Sequence, residues 1–168
     1  MLDKVPVAKI LGFLCVATVI LLGKITWDGY RTAWTAVAAG PHIRFALFGI
    51  VVALFTHTMT LFYFVGTGSR IRKVVTEYGL AQDLTLRTRR FKSRLFPWLT
   101  FTPLLTMTAF ILGGGAHTGV IPGWAHGVPA LLALLANVAT TVIAIRCLGE
   151  NVQLIDEIDA VLPQEAGE

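Results

Sequence analysis

The stretch IRFALFGIVVALFTHTMTLFYFVG, residues 43–66, decides the fold, because Arg44 is its only charged residue. A helix needs about 20 mostly apolar residues, each rising about 1.5 Å, to cross a hydrocarbon core of about 30 Å. The stretch therefore predicts a membrane-spanning helix. His57 and several threonines interrupt its centre, and this raises the question of whether the histidine serves packing or chemistry.

The composition of the whole chain agrees with a membrane protein. Of the 168 residues, 55% are apolar and only 14% are charged, whereas soluble domains carry about 25% charged residues. Three further stretches have the length and character of spans: 6–27, 95–115 and 128–147. We predict an all-α polytopic protein, in which 1–168 forms one integral membrane domain built as an antiparallel bundle of four transmembrane helices.

The distribution of lysine and arginine predicts the orientation. The connector 67–94 holds eight basic residues and only two acidic ones, Glu77 and Asp83. Basic loops stay on the cytoplasmic side of a membrane. We therefore expect a multi-pass protein of the inner (cytoplasmic) membrane, with both termini in the cytoplasm.

Two cytoplasmic helical extensions follow from apolar periodicity. Apolar residues recur at helical spacing after the second span, and again in the acidic tail 150–168, until Pro163. We predict that the acidic extension of the fourth span packs on the basic connector 67–94. Between the first two spans, the aromatic segment 27–41 predicts a short interfacial helix that is stopped by Gly40-Pro41.

Counting 1.5 Å per residue from the outer boundary places the polar residues of the spans at one depth. His57 lies about 20 Å deep by this count. An imidazole in hydrocarbon needs a hydrogen-bond partner, and we predict that Thr106 or Asn137 provides it. The members of this layer are His57, Thr60, Thr102, Thr106, Asn137 and Thr141.

Three interpretations of this layer stay open at the sequence level. Threonines in membrane helices bond their own backbone and need no function, so the layer is consistent with packing between helices. An ionisable residue at this depth also suggests a path for protons or small solutes. Haem ligation by His57 is the third interpretation, with Met59, Met107, the His57 of another chain or no residue as the second axial ligand.

Two surface clusters are candidate binding sites. Three histidines near the outer face form a candidate site for a transition metal, or a cap for a haem: His42, His117 and His126. On the inner side, a run of basic residues predicts contact with anionic lipid or a partner: Arg87, Arg89, Arg90, Lys92 and Arg94. The position of this run beside a bilayer argues against nucleic acid.

The sequence contains no arrangement of residues typical of a catalytic site, and no carboxylate lies within a span. We therefore expect a non-enzymatic membrane protein that acts as an accessory or anchoring subunit of a larger inner-membrane complex, with other membrane subunits or copies of itself as partners. Two alternatives stay open. One is a haem- or metal-binding electron-transfer subunit, and the other is a small transporter or channel using the His57 layer.

Overall fold

The computed structural model describes residues 5–35 and 38–162, and in these ranges the chain forms helices and no strand. The predicted all-helical fold is therefore confirmed. The four helices of the described residues are α1 (Val5–Trp34), α2 (Gly40–Glu77), α3 (Asp83–His117) and α4 (Gly123–Val161).

Each of the four helices is long and apolar enough to cross a membrane. They contain 30 to 39 residues, which corresponds to about 45 to 58 Å at 1.5 Å per residue. All four therefore exceed a hydrocarbon core of about 30 Å. Large apolar side chains cover the exterior, such as Phe13, Ile20, Phe62 and Ile111, each more than 60% exposed. Such a surface is typical of contact with lipid.

Glycine conformation sets the turns after α2 and α3. Gly79 and Gly119 have φ values of 62° and 75°, a region that favours glycine because a Cβ atom would clash with the backbone. After α2, the amide of Leu80 donates to the Val75 carbonyl, which closes the helix end in a Schellman motif. The amide of Val120 donates to the Gly115 carbonyl in the same way after α3.

The segment 27–41 differs from its prediction. Residues up to Trp34 continue α1 without a break, so no separate interfacial helix forms there. Gly40-Pro41 begins α2 rather than ending a helix. Proline suits the first turn of a helix, because its missing N–H would have no helical partner at that position.

Two apolar clusters are separated by a polar layer. The larger cluster joins all four helices and includes Leu11, Phe64, Leu95 and Leu154. The smaller cluster contains Leu22, Ile25 and Ala53 of α1 and α2. Helix α1 packs against α2 and α4, and α3 packs against the same two helices. His57, Asn137 and three buried threonines occupy chain positions between these clusters: Thr18, Thr56 and Thr60.

The predicted contact between the acidic extension of α4 and the basic connector is confirmed. Arg87 of α3 pairs with Glu157 of α4 through both guanidinium branches, one of them at 3.1 Å from Oε1. Arg94 pairs with Glu150 two turns away. We call this region, 66–94 and 148–162, the charged end. Helix α4 ends at Val161, while Pro163, Glu165 and Glu168 lie outside the described residues.

Candidate functional site

His57 lies in the interior, 6% exposed, and contacts α4. Its Nε2 lies 3.0 Å from Oδ1 of Asn137, so the predicted hydrogen bond is confirmed with Asn137 as the direct partner. The Asn137 amide nitrogen donates to the Ala133 carbonyl at 2.8 Å and to Thr106 Oγ1 at 3.0 Å. Because a backbone carbonyl can only accept, these bonds fix which Asn137 atom faces the ring.

The tautomer of His57 follows from this orientation. Asn137 Oδ1 has no proton, so Nε2 of His57 must donate. In the neutral ring the lone pair then lies on Nδ1. A haem iron at Nε2 would have to displace Asn137, which would leave the buried amide oxygen without its donor. A proton relay would also stop at Asn137, because a carboxamide does not titrate.

The hydrogen bonds continue from Asn137 into α3 and return to α4. Thr106 donates to the Thr102 carbonyl at 2.8 Å. The Thr102 hydroxyl lies 2.7 Å from that of Thr140, which itself donates to the Ala136 carbonyl at 2.8 Å. Since the single proton of Thr140 is used in this way, Thr102 is the donor between the two hydroxyls. Every hydroxyl and amide proton of this network has an acceptor.

A second set of polar contacts joins α1 to α2. The hydroxyls of Thr18 and Thr56 are 3.0 Å apart. Thr60 donates to the Thr56 carbonyl at 2.8 Å, and its oxygen lies 3.9 Å from the Cys15 sulfur. We call the buried side chains of both sets, with His57 and Asn137, the polar network. It connects all four helices, and each bond between membrane helices contributes about 0.6 kcal/mol on average.

A further polar contact lies closer to the charged end. The amide nitrogen of Asn151 donates to the Tyr63 hydroxyl at 3.1 Å, linking α4 to α2. Asn151 is 1% exposed. The sequence analysis did not single out Asn151, although a lone asparagine among apolar residues of an amphipathic helix was an available signal.

Thr141 differs from its predicted role. The sequence analysis placed it in the layer by stacking it on Asn137, but the buried residue that meets α3 is Thr140. Thr141 faces α1 instead and lies 3.4 Å from the Cys15 carbonyl. Helix α4 packs between α1 and α3, so positions three and four residues after Asn137 serve different neighbours. The other predicted members, Thr60, Thr102, Thr106 and His57, are all buried.

The proposed axial haem ligands do not share the environment of His57. Met59 is 40% exposed and Met107 is 37% exposed, so both side chains lie on the exterior. At 100° per residue, a side chain two positions from His57 points to the far side of α2. Within one chain, neither methionine can complete a ligand pair with His57.

The three histidines of the predicted metal site do not form a group of three metal ligands. His42 packs against α1 at Gly29, and His126 packs against α3 at Gly113 with Nδ1 2.9 Å from the Ala109 carbonyl. His117 is exposed at the last position of α3. Over residues 5–35 and 38–162, no group of three or more His, Cys, Asp or Glu side chains could hold a metal ion. We call the region of His42 and His126 the histidine end.

The basic run of α3 divides into groups with different surroundings. Arg87 and Arg94 are used in the ion pairs with α4. Arg89 and Arg90 are exposed on α3. Lys92 points towards α2 and lies over Gly68. The predicted cluster is therefore not one surface.

Sequence reasoning missed Thr18, Thr140 and Asn151 among the buried polar residues. On the first span the same depth falls at Leu14 and Cys15. Thr18 lies three residues after Cys15, so a tolerance of one turn would have included it.

Comparison of the chain with protein-family models, with curated proteins and with solved structures finds no match.

Proposed function

We propose that the chain is a non-enzymatic protein of the inner membrane and serves as an accessory or anchoring subunit of a larger membrane complex. In this proposal four antiparallel spans place both termini and the charged end in the cytoplasm. Cross-helix partners support the antiparallel arrangement, because Thr102, Arg94 and Arg87 of α3 pair with residues progressively farther along α4. The excess of basic residues in 67–94 supports the orientation.

The observation that carries the proposal is that the donors of the bonds between α2, α3 and α4 are used inside the bundle. Nε2 of His57, the amide of Asn137 and the hydroxyls of these three threonines donate to one another's oxygens or to backbone carbonyls: Thr102, Thr106 and Thr140. A transport path or a cofactor site needs polar groups that can exchange partners with a solute or an iron. Here these groups hold helices together, so a function that uses the exterior of the bundle is better supported than one that uses its interior.

The exterior offers aromatic side chains suited to contact with a partner subunit. Trp34 and Trp124 are 75% and 72% exposed near the histidine end. Indole rings are enriched at protein interfaces and at the level of lipid headgroups, since they combine an apolar face with a polar N–H. We propose that this aromatic surface contacts another membrane subunit.

Native mass spectrometry of the tagged chain, extracted gently from the membranes of its own host, tests the proposal. The expected result is a complex of defined stoichiometry that contains at least one other membrane protein. Replacing both Trp34 and Trp124 by alanine should release the partner without changing the melting temperature. Trp98→Ala is the matched control, because Trp98 is an exposed indole of a different helix.

Two results would contradict the proposal. A mass increase matching haem would favour the electron-transfer alternative. A chain without partner or cofactor would leave transport to be tested, by comparing solute uptake in wild type and His57→Leu.

A further inference from the structure

Lys92 extends from α3 across to α2. A methyl group built at Gly68 would lie 2.9 Å from both Cε and Nζ of Lys92. The ammonium group therefore rests against the bare backbone of α2, at a place where any larger residue would move it. Its nitrogen also lies 5.9 Å from the centre of the Phe96 ring. Lys92 thus stands at the boundary between the charged end and the apolar surface of α3.

The charges around Lys92 are unbalanced. Burial and the nearby Arg72 guanidinium lower the pKa of Lys92. Arg87 and Arg94 have carboxylate partners on α4, whereas no ion pair of Lys92 or Arg72 with a carboxylate is found within residues 5–35 and 38–162. An anion that pairs with Lys92 is also attracted by the charge of Arg72.

A groove of about 690 Å³ begins at Lys92 and follows the exterior of α3. Beyond Lys92 and Ser93 its lining is mostly apolar: Phe96, Pro97, Thr100, Phe101 and Leu104. From Lys92 to Leu104 the helix rises about 18 Å. This is close to half the thickness of a hydrocarbon core of about 30 Å, so the groove spans about one leaflet.

We propose that this groove, with Lys92 at its mouth and Arg72 on the neighbouring helix α2, is a binding site for one anionic phospholipid. The phosphate pairs with Lys92, where the charge of Arg72 also attracts it, and one acyl chain follows the groove along α3. Ser93 lines the mouth of the groove, and its hydroxyl donates to the Arg90 carbonyl at 3.0 Å. The inference depends on the proposed membrane orientation for the leaflet, the cytoplasmic one, but not on any partner subunit.

The test uses the purified full-length chain in detergent, with phosphatidylglycerol or phosphatidylcholine titrated in and bound lipid counted by native mass spectrometry. We expect one phosphatidylglycerol per chain, and much weaker binding of phosphatidylcholine. Lys92→Gln and Arg72→Gln should each weaken phosphatidylglycerol binding about fivefold, which corresponds to about 1 kcal/mol for each basic residue near an anionic headgroup. Arg90→Gln, on the same helix but exposed, is the matched control and should bind as the wild type does.

A second variant tests the groove without changing charge. Thr100→Trp fills the groove at its middle, and we expect it to lose the bound lipid while both basic residues remain. Its melting temperature, measured without lipid, separates blocked binding from a folding defect. Should Thr100→Trp fail to fold, Ser93→Trp at the mouth of the groove makes the same test.

Three outcomes would overturn the inference. Equal binding of both lipids would show that the cations do not select a headgroup. Inorganic phosphate that displaced the lipid at comparable concentration would show an anion site without a chain groove. An equal loss in Arg90→Gln would indicate diffuse attraction to basic residues. Since the assay uses the isolated chain, its result is independent of whether a partner subunit is found.

Discussion

At the scale of single residues, the position of each proton decides how His57 is interpreted. Asn137 donates to the Ala133 carbonyl, so its oxygen accepts from Nε2 of His57. The imidazole of His57 donates to a carboxamide, a group that does not titrate. Such a hydrogen bond is suited to holding one helix against another. The same residue facing water or a carboxylate would favour proton transfer.

The two adjacent threonines of α4 allow a matched comparison. Thr140→Val removes the acceptor of the Thr102 hydroxyl, and we expect a lower melting temperature in detergent, equivalent to about 1 kcal/mol. Thr141→Val removes a 3.4 Å contact to the Cys15 carbonyl and should have a smaller effect. If both variants melted alike, the placement of Thr140 in the network would be contradicted.

The turn after α2 depends on one backbone conformation. Gly79→Ala places a Cβ atom at a positive φ, and we expect a loss of about 1 kcal/mol in unfolding free energy. Gly66→Ala is the control, because a methyl group there meets nothing within 4 Å and alanine favours a helix. Thermal melts of the two variants in one detergent make the comparison, and a lower melting temperature for Gly66→Ala would contradict it.

At the scale of helices, sequence patterns predicted the existence and approximate length of each helix better than they predicted which helix face meets which neighbour. The apolar runs predicted four long helices, and the basic connector predicted the contact of α4 with α3. Both predictions succeed because they depend only on the length of an apolar run and on the sign of the charges, and not on the rotation of each helix. The sequence patterns did not predict that Thr140 contacts α3 while Thr141 contacts α1, since this depends on which helices flank α4. The role of Gly40-Pro41 was reversed, because the same dipeptide suits the end of one helix and the start of the next.

The ion pair between α3 and α4 predicts a pH dependence. The hydrogen bond from Arg87 lowers the pKa of Glu157 from its ordinary value of 4.5. A carboxylate with a depressed pKa contributes stability that is complete above the unfolded pKa and is lost as the pH falls through the folded pKa. Glu157→Gln should therefore lower the melting temperature at pH 7, and this difference should shrink below pH 4.5.

The neighbouring carboxylate supplies the control for this experiment. Asp156→Asn alters an exposed side chain one position away and should change the melting temperature less at pH 7. Exchanging the two charges, Arg87→Glu with Glu157→Arg, should recover part of the loss. A difference between wild type and Glu157→Gln that stayed constant from pH 7 to pH 3 would contradict the ion-pair account.

At the scale of the whole molecule, the chain buries a polar layer among apolar side chains and presents large apolar and aromatic side chains on its exterior. The polar network lies between two apolar clusters and connects all four helices. Sequence patterns identified most of this network by depth, but not its bonds, since those depend on rotation of each helix about its axis. The exterior of the bundle is therefore the surface on which we propose contacts with lipid and with a partner.

The proposed orientation of the whole molecule predicts a labelling pattern. Both native cysteines are buried, so an introduced cysteine should give the main signal with a membrane-impermeant thiol reagent. Thr118→Cys, in the turn after α3, should react in spheroplasts, which are cells without their outer envelope layers. Arg90→Cys at the charged end should react only after permeabilisation. The reverse pattern would contradict the cytoplasmic location of the charged end.

The central claim is that His57 holds helices together, and a double-mutant cycle with Asn137 tests it most directly. Equilibrium unfolding in mixed micelles would be measured for wild type, His57→Leu, Asn137→Leu and the double variant. We predict that the sum of the two single losses exceeds the double loss by about 0.6 to 1.7 kcal/mol, which are the average and the maximum measured for hydrogen bonds between membrane helices. Strictly additive losses would contradict the claim and would favour a chemical role for His57.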